Sequence, residues 1–169
     1  MEKSKIVVVG WGRMGITHTA ILGGLYPDGF DVQVVENNKI VRKVLSSTLG
    51  YTCFADINQV SFHNAKVLIT TPPAFHSSLV KTAIENGAES VFVEKPFGLS
   101  ASRVQDNDII SVGYVLRFSE IAQEIKRIID QEGCLSLSLN YSSNTLTKKP
   151  KGWRNGLHGG VLNEMGSHL

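Results

Sequence analysis

Glu164-Met165-Gly166-Ser167-His168, near the end of the chain, sets a carboxylate and an imidazole four positions apart. On a helix that spacing stacks both groups on one face, one turn apart. Imidazole titrates near neutrality, so His168 is suited to take a hydroxyl proton as hydride leaves the same carbon. Glu164, one turn away, could orient the ring or hold substrate. Glu94-Lys95-Pro96, midway along the chain, adds an ammonium able to point at a substrate hydroxyl or at a neighbouring base. Gly10-Trp11-Gly12-Arg13-Met14-Gly15, near the start, has the spacing of a phosphate cradle. Together these groups describe hydride transfer to a nicotinamide with a side chain as proton acceptor.

Each piece also has a plainer explanation. Glu164 and His168 could be a surface pair worth a few tenths of a kcal/mol, and Lys95 a solvated cap on a strand end. The glycines could make only a tight turn, or serve a methyl-donor nucleotide. Two side chains are too few for zinc, and neither HExxH nor CxxC spacing occurs, so no metal is expected.

These residues need a scaffold, and the pattern along the chain supplies one. Short apolar runs alternate with helix-period stretches, which predicts βαβ units and a doubly wound parallel sheet of Rossmann type, an α/β fold. Ile6–Val9 is a continuous β-branched run, as in a strand covered on both faces. Gly10-x-Gly12-x-x-Gly15 follows it and precedes a helix carrying Met14, Ile16, Ala20, Ile21 and Leu25. In that context Gly10 permits the tight turn, Gly12 lets backbone approach a pyrophosphate, and Gly15 allows close helix–strand packing. The helix N-terminus, with Trp11, Arg13 and Met14 around it, offers N–H groups and a positive dipole end to the phosphates.

Further strands are predicted at Val32–Glu36, Tyr51–Phe54, Ala65–Thr70, Ser90–Glu94 and Ile109–Tyr114. Glu36 ends the second, 21 residues after Gly15, where a carboxylate can accept from ribose hydroxyls and repel a 2′-phosphate. NAD is therefore expected over NADP, with Lys39 and Arg42 the residues that argue the other way. Thr71-Pro72-Pro73 ends the fourth strand on the ligand side of the sheet, with His76 just beyond as a cofactor contact or a capped or surface histidine. Glu94 and Lys95 end the fifth strand on the same side. Helices are predicted at about Phe75–Asn86 and from Ser119 to Gly133, with a short one near Ser100–Gln105. Leu135, Leu137, Leu139 and Tyr141 then alternate with polar residues, as in a strand with one buried face. The expected division is a dinucleotide-binding domain over 1–118 and the start of a substrate or oligomerisation domain over 119–169.

Bulk properties agree. With 42% hydrophobic and 19% charged residues the chain is a packed one. A net charge of +2, with no basic run among aromatics, gives no footprint for nucleic acid. No stretch reads as a signal peptide or membrane span. Cys53 and Cys134 stand apart as ordinary thiols, so a cytoplasmic location is expected.

The ordered set of motifs resembles the Gfo/Idh/MocA oxidoreductases, a family that includes inositol, glucose and other sugar dehydrogenases. The resemblance runs from Gly10–Gly15 through Glu36, Thr71-Pro72-Pro73, Glu94-Lys95-Pro96 and Gly113–Phe118 to Trp153-Arg154 and Gly159–His168. It implies an NAD(P)-dependent dehydrogenase acting on a sugar, polyol or nucleotide-sugar. By that similarity Lys95 and His168 are the catalytic residues, His168 as base, and Arg154 lies near substrate. Glu164 stands where the family has aspartate, and His158 where a third glycine is common. Family members continue with most of a large open sheet, so this chain is expected to be truncated in its second domain; that sheet also implies a homo-oligomer. A dinucleotide-binding regulator without turnover, or an inactive fragment, are the alternatives.

Overall fold

The computed structural model describes residues 3–27, 29–97 and 108–133, together with 136 and 138. Two units divide between Gly113 and Tyr114, a few residues before the boundary that the sequence pattern places at 118.

The first unit contains one sheet whose six strands pair in parallel throughout. They are β1 Ser4–Val9, β2 Phe30–Val35, β3 Thr52–Phe54, β4 Lys66–Ile69, β5 Ser90–Val93 and β6 Ile110–Val112. Their spatial order is β3-β2-β1-β4-β5-β6. The chain runs outward from β1 to β3, returns to β4 beside β1, and runs outward again. This reversal opens a crevice at the carboxyl ends of β1 and β4, where open α/β sheets bind ligands. It matches the Rossmann-type architecture expected from the βαβ pattern.

β-Branched residues pack both faces of β1. Val7 and Val9 join Val67, Ile69, Val91 and Val93 on one side, against Val80 and Ala83 of helix α3, His76–Glu85. Ile6 and Val8 point the other way, into a smaller cluster with Leu68 and with Leu22 of helix α1, Arg13–Leu25. Alternation along a strand, buried on both sides, accounts for the unbroken apolar run.

Which face of α1 meets the sheet differs from the apolar periodicity. Ile16, Ile21 and Leu25 are exposed, whereas Gly15 and Thr19 are buried and Leu22 is packed. Close approach at Gly15 dictates this, because only a small-residue stripe fits against the β1 turn. The helix α2, Lys39–Val44, starts at Asn38, whose side chain accepts from the N–H groups of Ile40 and Val41. It continues as one wider, π-type turn over Leu45–Leu49 and stops at Gly50, which has a left-handed φ of 67°. Only Leu45 of this pair of turns is buried.

In the second unit, α4 spans Glu120–Glu132, from the side-chain cap of Ser119 to Gly133. Its Arg127 guanidinium holds the Glu124 carboxyl below the ordinary carboxylate range. Apart from Ser136 and Ser138, the predicted strand at 135–141 lies outside the described residues, as does the short helix near 100–105. So do Arg154, Glu164 and His168.

Candidate functional site

Four loops meet at the carboxyl ends of β1, β2, β4 and β5, and they carry every described residue to which the sequence assigns chemistry. After β1 the chain turns through Gly10 at φ +93°, a conformation that glycine adopts without strain. A side chain there would also press on Thr71, whose backbone nitrogen lies 3.2 Å from the position of a Cβ. Gly15 is tighter still. Its Cβ would stand 2.4 Å from the Gly10 carbonyl oxygen and 3.0 Å from Thr70 Oγ1. The Thr70 hydroxyl donates to that same carbonyl at 2.6 Å, tying the end of β4 to the glycine turn.

Gly12 is different. It begins α1 with no side-chain cap, and a Cβ placed on it meets nothing within 4 Å among the described residues. An uncapped helix N-terminus beside open space presents backbone N–H groups and the dipole's positive end to an anion. Arg13 is exposed beside it, with Trp11 and Met14 partly buried. The glycine loop therefore fits a pyrophosphate: its first and third glycines are enforced by protein backbone, its second by nothing among the described residues.

Glu36 follows β2, and its carboxylate is pre-positioned by two backbone donors. Oε2 accepts from the Trp11 N–H at 2.9 Å and Oε1 from the Asn38 N–H at 2.8 Å. A carboxylate has about four acceptor sites, so capacity remains for ribose hydroxyls. The guanidinium of Arg42 donates to the carbonyls of Glu36 and Asn37, at 2.6 and 2.8 Å. Arg42 thus serves to brace the loop that holds the carboxylate. Trp11 in turn meets Tyr51 edge to face, with ring centroids 5.7 Å apart.

At the end of β4, Thr71 Oγ1 is buried without a hydrogen-bond partner. Leaving a buried hydroxyl unpaired costs on the order of 1–3 kcal/mol. Thr71→Val is accordingly expected to stabilise the dinucleotide-free protein by about 1 kcal/mol, seen as a higher urea midpoint at unchanged slope. Pro72 follows in extended geometry and leads into a single 3₁₀ turn, Pro73–Phe75, ahead of α3.

His76 departs from its expected role as a cofactor contact or surface cap. It is 1% exposed, with Nε2 2.8 Å from the Thr71 carbonyl and Nδ1 3.0 Å from the Pro96 carbonyl. Both ring nitrogens face backbone carbonyls, so the ring is an internal strut between the loops after β4 and β5. Nothing in the local sequence distinguishes such a strut from a ligand.

Glu94 continues β5 by donating its N–H to the Ile69 carbonyl at 2.9 Å. Its carboxylate lies 2.6 Å from His18 Nε2 and accepts the Lys95 N–H at 3.3 Å. Lys95 is partly buried and joined to Pro96 by a cis peptide. The structure thus gathers Gly10–Gly15, Glu36, Thr71, Pro72, Glu94 and Lys95 at one edge of the sheet. His18 is a site residue that the sequence pattern does not single out. Its one signal is a polar residue three positions after Gly15, beside the small stripe that faces the sheet. Among the described residues no group of histidine, cysteine, aspartate or glutamate side chains could hold a metal ion. None of the described helices is long and apolar enough to cross a membrane.

Comparison with known proteins agrees with the fold. The family model described as an oxidoreductase family with an NAD-binding Rossmann fold, GFO_IDH_MocA, matches residues 4–109. A scyllo-inositol 2-dehydrogenase (NAD(+)) of Bacillus subtilis is 28% identical over 137 residues, covering 75% of this chain and 40% of that protein. Among solved structures, scyllo-inositol dehydrogenase from Lactobacillus casei, with bound NAD(H) and scyllo-inositol, superposes with a TM-score of 0.60 at 23% identity. The match covers 77% of this chain and 42% of that one. The WlbA dehydrogenase from Chromobacterium violaceum, in complex with NADH and UDP-GlcNAcA, gives a TM-score of 0.62 at 21% identity, over 77% and 40% of the two chains. The chain therefore spans about two fifths of the length of the relatives it matches.

Proposed function

From the premise that this chain belongs to the Gfo/Idh/MocA oxidoreductase family with its NAD-binding Rossmann fold, we propose that it is the dinucleotide-binding part of a dehydrogenase. The reaction moves a hydride between NAD and a hydroxyl-bearing carbon of a sugar, polyol or nucleotide-sugar. The observation that carries this reading is the shared sheet edge, where an uncapped helix N-terminus at Gly12, the Glu36 carboxylate and Lys95 stand on the loops after β1, β2 and β5.

The backbone N–H groups of α1 hold the pyrophosphate, with Arg13 adding positive charge. Glu36 accepts from the adenosine ribose, and Thr71 and Pro72 line the crevice beyond. NAD supplies the hydride acceptor. Lys95, pointing its ammonium toward the substrate oxygen, orients the hydroxyl and stabilises developing negative charge there. His168 takes the hydroxyl proton, Glu164 orients it, and Arg154 holds substrate; these three assignments rest on the family's motif. The unit from Tyr114 onward is the start of a substrate domain whose sheet pairs copies of the chain. The setting is cytoplasmic, with small molecules as partners.

Two measurements test this. Calorimetric titration is expected to detect NADH binding, with NADPH weaker because its 2′-phosphate meets Glu36. Removing that carboxylate in Glu36→Ala leaves the Trp11 and Asn38 N–H groups without their acceptor. It should weaken NADH roughly tenfold to a hundredfold, given ~1.5–3 kcal/mol for a charged hydrogen bond, and narrow the gap between coenzymes. Turnover is then sought with NAD across sugars, polyols and nucleotide-sugars. Binding without turnover by the full-length protein would favour a regulator, and absence of binding by folded protein would overturn the proposal.

A further inference from the structure

We propose that His18 is a positioning residue for Lys95, acting through Glu94. This rests on the reading that Lys95 works at the substrate hydroxyl, and it adds a link running from the dinucleotide helix to that lysine.

His18 lies on α1, two positions past the first turn of the phosphate-facing end, and its Nε2 is 2.6 Å from Glu94 Oε1. The side chains are 20% and 12% exposed, so the contact is largely shielded from water. The imidazole stands edge to face against Phe92, with centroids 4.9 Å apart, which fixes the ring plane. The other carboxylate oxygen accepts the Lys95 N–H at 3.3 Å. From the far side Gly113 closes in: a Cβ there would lie 3.1 Å from Phe92 Cζ and 3.4 Å from Glu94 Oε2. Glu94 is therefore held by α1 and by the peptide that follows it, and Gly113 leaves room for its carboxylate where a side chain would crowd it.

The sheet does not require this arrangement. β5 ends at Val93, and Glu94 completes its backbone pairing through its own N–H to Ile69. What the side-chain bridge adds is orientation. One carboxylate ties the imidazole to the peptide nitrogen of Lys95, so the base of the lysine stem is held relative to α1. Charge-assisted hydrogen bonds of this kind are short and directional. Deleting the imidazole N–H leaves a partly buried carboxylate free to rotate and loosens its hold on the Lys95 N–H.

The test compares His18→Phe, which keeps a ring against Phe92 but has no N–H, with His18→Gln, which restores a donor. Lys95 is read directly as its acetylation rate by acetic anhydride in the folded full chain, relative to Lys81, whose side chain is 74% exposed. His18→Phe should raise that ratio at least threefold, and His18→Gln should return most of it. In the full-length protein His18→Phe should lower kcat about tenfold or more, the scale set by loss of positioning, with KM for NAD within twofold. A ratio changed by less than threefold in His18→Phe overturns the proposal. Should that variant not fold, Glu94→Gln takes its place against the same threshold. If instead Lys95→Met turns over normally while the acetylation ratio responds, the link from His18 to Lys95 stands and the role assigned to Lys95 fails.

Discussion

Lys95→Met in the full-length protein is expected to lower kcat by about 10²- to 10⁴-fold, the range for loss of a positioned proton-transfer or charge-stabilising group. Methionine keeps the length of the stem and removes only the charge, so the partly buried site stays filled. The peptide that carries the residue is fixed independently of the ammonium: Glu94 pairs with Ile69 and accepts the Lys95 N–H, and His76 braces Pro96. The variant should therefore still fold, with a cooperative urea transition. NADH affinity, measured by calorimetry, should fall by less than about tenfold, since most dinucleotide contacts come from the glycine loop and Glu36. A kcat within twofold of the parent would remove Lys95 from the chemistry while leaving the dinucleotide site in place.

Much of this arrangement is legible in the order and spacing of the residues. The β-branched run Ile6–Val9 and the apolar run Val67–Ile69 report strands covered on both faces, and Gly50, Gly87 and Gly133 mark where helices stop. Glu36 is placed after β2 by its distance from the glycines, whereas its bond from the Trp11 N–H is visible only in the structure. Periodicity misreads α1, because an apolar stripe is informative only when a helix packs through large side chains. Here backbone packs on backbone at Gly15, and Ile16, Ile21 and Leu25 turn outward. His76 and His18 are opaque for another reason. A histidine's role depends on which oxygens surround its two nitrogens, and those belong to Thr71, Pro96 and Glu94, remote from it in sequence or hidden by the fold. No spacing rule encodes that.

Gly12→Ala and Gly15→Ala should part company, although both alter one motif. At Gly15 the new methyl would sit 2.4 Å from the Gly10 carbonyl oxygen. That oxygen cannot retreat easily. It accepts from Thr70 Oγ1 at 2.6 Å, and Gly10 itself donates to Val35 at 2.9 Å and abuts Thr71. The helix must move instead, and α1 leaves the sheet with its phosphate-facing N-terminus. Overpacking of this kind costs about 1–3 kcal/mol, or very roughly 5–15 °C in Tm for a unit of this size, and dinucleotide affinity should drop by at least about tenfold with the displaced N–H groups. At Gly12 the methyl meets no atom of the described residues within 4 Å, so Tm should fall by no more than about 5 °C, since replacing a helix-cap glycine costs a few tenths of a kcal/mol up to ~1 kcal/mol. Its affinity for NADH should nonetheless collapse, because the methyl occupies the space into which the pyrophosphate must come. Thermal unfolding without ligand, followed by calorimetry with NADH, separates the two. Equal losses of Tm in both variants would mean that the open space at Gly12 is not a ligand's, and that the loop is built for packing alone.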